Sequence, residues 1–170
     1  MKISVFVFLM LVFVLASCET KQTPAEKLEK AEALAIKNAI ADRDLTQYEQ
    51  GAVFTCRTRF RNGNEKDHLA GEKKVRDFIW RHWTEKKRGY VILNCPGTDT
   101  TITTHYFIEP NEAGAWRIVR SSISQTSDDR IVPREDNIDL VERVENQTDE
   151  DWTLLLKTAS GEIVEKLPLY

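Results

Sequence analysis

The residues of this 170-residue chain that could do chemistry are few and scattered. A metal site needs several Cys, His or carboxylate ligands at workable spacing. His68, His82 and His105 stand apart, and no His-Glu-x-x-His or Cys-x-x-Cys run occurs, so no metal or other cofactor is expected. A hydrolytic nucleophile needs an adjacent base and a group to orient it. The serines gather at 121–127 in a polar stretch, without Gly-x-Ser-x-Gly or Ser-x-x-Lys. Paired carboxylates cleave glycosidic bonds only at a set separation. Asp99, Glu109 and Glu112, near strand ends, are the ones to consider; the other acidic residues read as solvated runs. No catalytic residue is assigned. Binding chemistry is better supplied. Lys73, Arg76, Trp80 and Lys87 share one side of a helical stretch. A flat ring among cations could stack on a sugar or meet an anionic head group, with cation–π support from Arg76. The plainer alternative is that Trp80 tucks under a neighbouring loop or strand. Arg57, Arg59 and Arg61 form a second basic row.

A different chemistry is written at the start of the chain. Met1-Lys2 leads into an apolar run from Ile3 to Ala16 and then small residues, the order of a secretory signal. The run is shorter than the roughly 20 residues a membrane-spanning helix requires. Leu15-Ala16-Ser17-Cys18 resembles the lipobox of bacterial lipoproteins: a branched apolar residue, two small residues and a cysteine. The resemblance covers residues 1–18 alone. It implies that the Cys18 thiol carries a diacylglycerol, that a peptidase cuts before it, and that the new amino group is acylated. Residues 1–17 are then a signal peptide, Cys18 is the lipid attachment site, and residues 18–23 are a tether. A single acyl chain binds a bilayer only marginally, whereas two or more hold stably. The implied partner is a lipid bilayer, on the extracytoplasmic side of a bacterial cell envelope. Glu19, where an Asp would direct retention, slightly favours the outer over the inner membrane.

Export bears on the other cysteines. With Cys18 lipidated, Cys56 and Cys95 remain as an even pair in a disulfide-permissive compartment. A bridge would close a loop of about 40 residues, worth roughly 4 kcal/mol. The alternative is two buried thiols acting as small apolar groups; sequence supplies no geometry to choose between them. Export also argues against nucleic acid as a partner, although charge is unevenly spread. Residues 51–95 hold 11 basic against 5 acidic positions, and residues 125–170 hold 5 against 12. Either the two surfaces face each other or water, or the basic one meets an anionic envelope component.

These residues must be positioned by elements the pattern makes legible. Thr23-Pro24-Ala25-Glu26 is a capping box with Pro at the first helical position. It opens a helix over 24–42 with a thin stripe of Leu28, Ala31, Ala35 and Ala39, either packed weakly or standing partly free as a stalk. Residues 52–61 alternate as a half-buried strand with Ala52, Phe54 and Cys56 inward. Residues 66–88 read as a second helix, with Val75, Phe78, Ile79, His82 and Trp83 on its apolar face and Gly89 as its stop. Strands follow at 90–95, 100–109 and 115–123, the last two a hairpin turned at Pro110–Gly114. Residues 121–136 read as a polar connection. Strands at 138–144, 152–157 and 162–167 complete the chain, the last two joined through Ser160-Gly161. The fold class is α+β: residues 24–170 as one domain, an antiparallel, curved sheet of five to seven strands with helices on one side, cystatin-like or nuclear-transport-factor-like in outline. Fold does not fix function.

The function expected is a membrane-anchored envelope lipoprotein whose domain is a non-enzymatic binding or structural module. Its partners are the bilayer and an anionic envelope component or another envelope protein. Two alternatives stand beside it: a small enzyme acting on envelope glycan or peptide, and an assembly subunit that pairs through an edge strand of the C-terminal hairpin.

Overall fold

A computed structural model describes residues 23–56, 68–97, 99–127, 131–146 and 152–168. The elements run α1 (Pro24–Ala41), β1 (Glu49–Thr55), α2 (His68–Glu85), β2 (Gly89–Pro96), β3 (Thr100–Pro110), β4 (Trp116–Thr126), β5 (Ile131–Ile138), β6 (Leu140–Glu145), β7 (Trp152–Lys157) and β8 (Ile163–Leu167). The class is α+β. The strands form two sheets, one ordered β1-β2-β3-β4-β5 and one ordered β6-β7-β8. Among the described residues, only β1 and β2 pair in parallel; the other pairings are antiparallel. The chain passes from one sheet to the other at Asp139, whose N–H donates to the Lys157 carbonyl at 3.0 Å.

The two helices take opposite faces of the larger sheet rather than one side. The cause is visible in β3, where Tyr106, Phe107 and Ile108 are consecutive and all fully buried. Neighbouring strand residues point to opposite faces, so such a run needs cover on both. Val91, Tyr106, Ile108 and Ile118 pack with Val75 and Ile79 of α2 and with Leu154, Leu156 and Leu167 of the smaller sheet. Tyr90, Phe107 and Val119 form the second core, closed by Ile40 of α1 and by Leu45 and Tyr48 of the turn after it. Each fully buried aliphatic side chain contributes roughly 1.5–3 kcal/mol, which makes the α2 face the main source of stability.

α1 starts as its capping box dictates. Thr23 Oγ1 accepts from the Glu26 N–H at 3.3 Å, and Glu26 Oε2 accepts from the Thr23 N–H at 2.7 Å. It packs against β5, but not through the expected stripe: Leu28 is 60% exposed, and Ala33, Ile36 and Ile40 turn inward instead. Two isoleucines at helical spacing cover more apolar surface than the alanines of the neighbouring stripe, so they set the rotation.

α2 buries Val75, Ile79 and His82 completely, as its periodicity predicts. It stops at Glu85, before Gly89, because Lys86 turns left-handed at φ 51° and the Lys87 N–H closes on the His82 carbonyl at 3.0 Å. Gly89 serves packing instead. A Cβ there would sit 2.6 Å from the His82 ring.

The polar stretch 121–136 is not a connection. β4 continues through Thr126 and pairs with β5 along its length, Ser121 opposite Glu135 and Ser122 opposite Arg134. Ser121 Oγ donates to Glu135 at 3.0 Å, so hydrogen bonding across strands replaces the apolar signal. The two hairpin turns share one device. Gly114 at φ 81° and Gly161 at φ 86° each donate back three residues, to Asn111 and Thr158, a left-handed position that favours glycine.

Candidate functional site

A cleft of about 860 Å³ opens between the two sheets. Leu93, Ile102 and Thr104 of the larger sheet form one wall, and Val144, Thr153 and Leu155 of the smaller sheet form the other. β8 runs along the junction, where Ile163, Val164, Glu165 and Lys166 all line the space. The ladder explains this: Leu156 pairs with Glu165 but Lys157 with Ile163, leaving Val164 as an extra residue. A bulge of this kind re-aims side chains.

Charge collects where the sheets meet. Arg120, facing Tyr106 across β3 and β4, donates from Nε to Glu165 at 2.7 Å and from Nη1 to Asp136 at 2.9 Å. The Tyr106 hydroxyl reaches both Glu165 oxygens at 2.9 Å, and Arg134 Nε donates at 2.9 Å to the same Asp136 oxygen that accepts from Arg120. Burial, then the Glu165 charge, pushes the Tyr106 phenol well above its ordinary 10.0. For Arg120, burial alone would pull the guanidinium pKa down, but Glu165 and the groups around it outweigh this and hold it above its ordinary value. Two cations thus neutralise two carboxylates, and Glu165 spends its lone pairs on Tyr106 and Arg120. A general base needs a lone pair aimed at substrate; this network is built to join sheets.

Further out in the cleft, Asn146 Nδ2 donates to Thr153 Oγ1 at 3.3 Å. Among the described lining residues, Lys166 is the one charged side chain without an ionic partner. No aromatic ring is among them.

The residues read from sequence as a binding patch are not assembled into one. Arg76 is buried, donates from Nη1 to the Trp152 carbonyl at 2.6 Å, and lies 3.9 Å over the Trp152 ring. Trp80 meets the same ring edge-on at 5.9 Å. Trp152, the first residue of β7, has taken both the cation and the ring of the patch into the core. Lys73 is half-buried, and Lys87 lies beyond the helix, exposed and paired with Glu85 at 2.7 Å. The alternative in which Trp80 tucks under a strand is the arrangement present.

Cys56 and Cys95 are joined in a disulfide, Cα atoms 4.5 Å apart, at the ends of β1 and β2. A Glu72 oxygen lies within 4.8 Å of both sulfurs. That trio has the ligand types of a metal site, but a metal ligand must be a thiolate, and bonded sulfurs offer none.

Of the carboxylates considered from sequence, Asp99 and Glu112 are exposed. Glu109 is buried on the sheet face away from the cleft, accepting from Arg43 at 2.5 Å, from Arg117 at 3.3 Å and from Tyr48. The histidines also keep apart. His82 stacks on Phe78 at 3.9 Å, with Nε2 3.3 Å from Glu49 Oε2 but outside hydrogen-bond geometry. His105 shares a 2.8 Å hydrogen bond with the Tyr90 hydroxyl, and burial lowers its pKa below 6.5. Cys18, residues 57–61 with the Arg57, Arg59 and Arg61 row, and the His68 side chain lie outside the described residues.

Sequence reasoning missed Arg120 and Glu165, though both leave a trace. Each occupies the apolar phase of its strand, two positions from a fully buried Ile118 and Leu167 respectively. A charge on an inward phase signals a buried partner. No family model, no curated protein and no solved structure matches this chain.

Proposed function

We propose that this chain is a bacterial envelope lipoprotein, anchored through acylated Cys18, whose α+β domain is a non-enzymatic binding module acting through the cleft between its sheets. The observation that carries the binding role is the composition of that cleft: apolar walls, with its buried charges already consumed by one another. A cavity of this size falls in the range of small-molecule sites, about 300–1,000 Å³. The anchor rests on Leu15-Ala16-Ser17-Cys18 at the end of an apolar leader. From Cys18 to Thr23, where the described domain begins, the chain spans at most about 18 Å, which holds the cleft near a bilayer. A hydrolase acting on envelope polymers would need an uncommitted base, and Glu165 and Glu109 are both committed.

Hydrogen exchange tests the module. Backbone amides of β2, β3, β7 and β8 should exchange more slowly in full-length protein on native envelope membranes than in the same protein purified into nanodiscs. Equal exchange at those strands would remove the binding role.

A second reading, an assembly subunit pairing by an edge strand, draws on β6. It is the outer strand of the smaller sheet, with Leu140 exposed. Association of the purified protein that a proline at Val141 abolishes would support it.

A further inference from the structure

We propose that the cleft holds the chain of a single-chain anionic amphiphile drawn from the bilayer, with its negative head at Lys166. The inference rests on the reading of the cleft as a binding site and names what that site takes. Four features narrow the ligand. The two walls present Leu93 and Ile102 against Val144 and Leu155, so the body of the ligand is apolar. At the rim, Ile102 is 40% and Ile163 45% exposed, surface that water solvates poorly and an acyl chain covers. Two polar groups of the lining are engaged, Arg120 with Glu165 and Asp136, and Asn146 with Thr153. A sugar or other polar metabolite would find few free donors or acceptors, and no aromatic ring on which to stack, among the described lining residues. Lys166 supplies a single unpaired positive charge at the junction. One apolar body plus one negative group is the complement of that lining.

A peptide strand is the competing occupant, since β8 is an edge of its sheet. The bulge at Val164 breaks the regular spacing of donors and acceptors that strand addition uses. An acyl chain makes no such demand. The short tether adds supply, because a ligand dissolved in the membrane meets the cleft without crossing water as a monomer.

The test uses full-length lipidated protein in phosphatidylcholine nanodiscs with a palmitate analogue carrying a mid-chain diazirine. Irradiation and peptide mapping should place label on peptides containing Leu93, Ile102, Leu155 or Ile163. Leu155→Trp fills the cleft and should remove most of that label. Ile163→Trp, at an exposed rim position, does the same where folding of the first variant is in question. Lys166→Glu should reduce labelling about fivefold, while Lys166→Arg retains it. Label confined to residues 18–41, or unchanged by both Trp variants, overturns the proposal. Failure here and failure of the binding role are separable. Strand protection on envelope membranes without acyl label leaves a binding module for another ligand, whereas loss of both removes the site altogether.

Discussion

Arg120 serves two carboxylates with one guanidinium, and the junction of the two sheets depends on it. Its side chain and that of Glu165 are only 12% and 7% exposed. Removing one member of a buried pair leaves a desolvated charge behind, which costs about 3–5 kcal/mol. Arg120→Ala is therefore expected to lower the urea midpoint by that equivalent; a loss near that of an exposed salt bridge would show the network to be solvated. His105 gives a residue-scale prediction in pH. Its folded pKa lies below 6.5, so the unfolded chain takes up the proton first as pH falls. The stability it contributes is complete above pH 6.5 and is lost as pH drops through the folded value. Urea midpoints of His105→Gln should fall less steeply below pH 6.5 than those of the parent; parallel curves would contradict the assignment. At this scale the sequence is legible where side chains follow helical period, as with Val75, Ile79 and His82. It is illegible where partners come from distant strands. Nothing near Arg76 or Trp80 announces Trp152, 76 and 72 positions on, which converts an apparent surface patch into core.

Between elements, α2 approaches the β1 backbone closely at Gly71. A Cβ on Gly71 would lie 2.6 Å from the Thr55 carbonyl oxygen, and backbone cannot swing aside as a side chain can. Gly71→Ala is expected to cost roughly 1–3 kcal/mol through overpacking, read as a lowered unfolding temperature. Unchanged stability would show that α2 slides freely along the strand. The same end of β1 is fastened to β2 by Cys56–Cys95 across a separation of 39 residues. Replacing both cysteines with alanine should remove about 4 kcal/mol on the loop-entropy estimate; a parent whose stability is insensitive to reductant would contradict this. Elements marked by strong local codes are legible in the sequence: the capping box of α1, the two glycine turns, the apolar face of α2. Those held by pairing alone are not. β5 reads as a polar connection because its stability comes from the β4 ladder, and the division into two sheets turns on Asp139, whose partner is Lys157.

For the whole molecule, the consequence of greatest reach concerns where the domain is held. One apolar segment precedes Cys18, and no helix of the described residues is long and apolar enough to cross a membrane. If the anchor is the acylated cysteine, two or more chains make dissociation negligible, and attachment resists salt because it does not depend on charge. If instead the basic half, residues 51–95, held the protein to anionic lipid, attachment would weaken as salt shortens the Debye length from about 10 Å at 0.1 M to 3 Å at 1 M. Cys18→Ser separates the two. It should abolish incorporation of radiolabelled palmitate and leave the chain either uncleaved or released from the envelope, while the parent sediments with membranes at both salt concentrations. Palmitate label that survives the substitution would refute the anchor. Membrane attachment of the parent that disappears at 1 M salt would transfer its cause to charge, and the cleft would then lose the permanent proximity to the bilayer on which its supply of amphiphile depends.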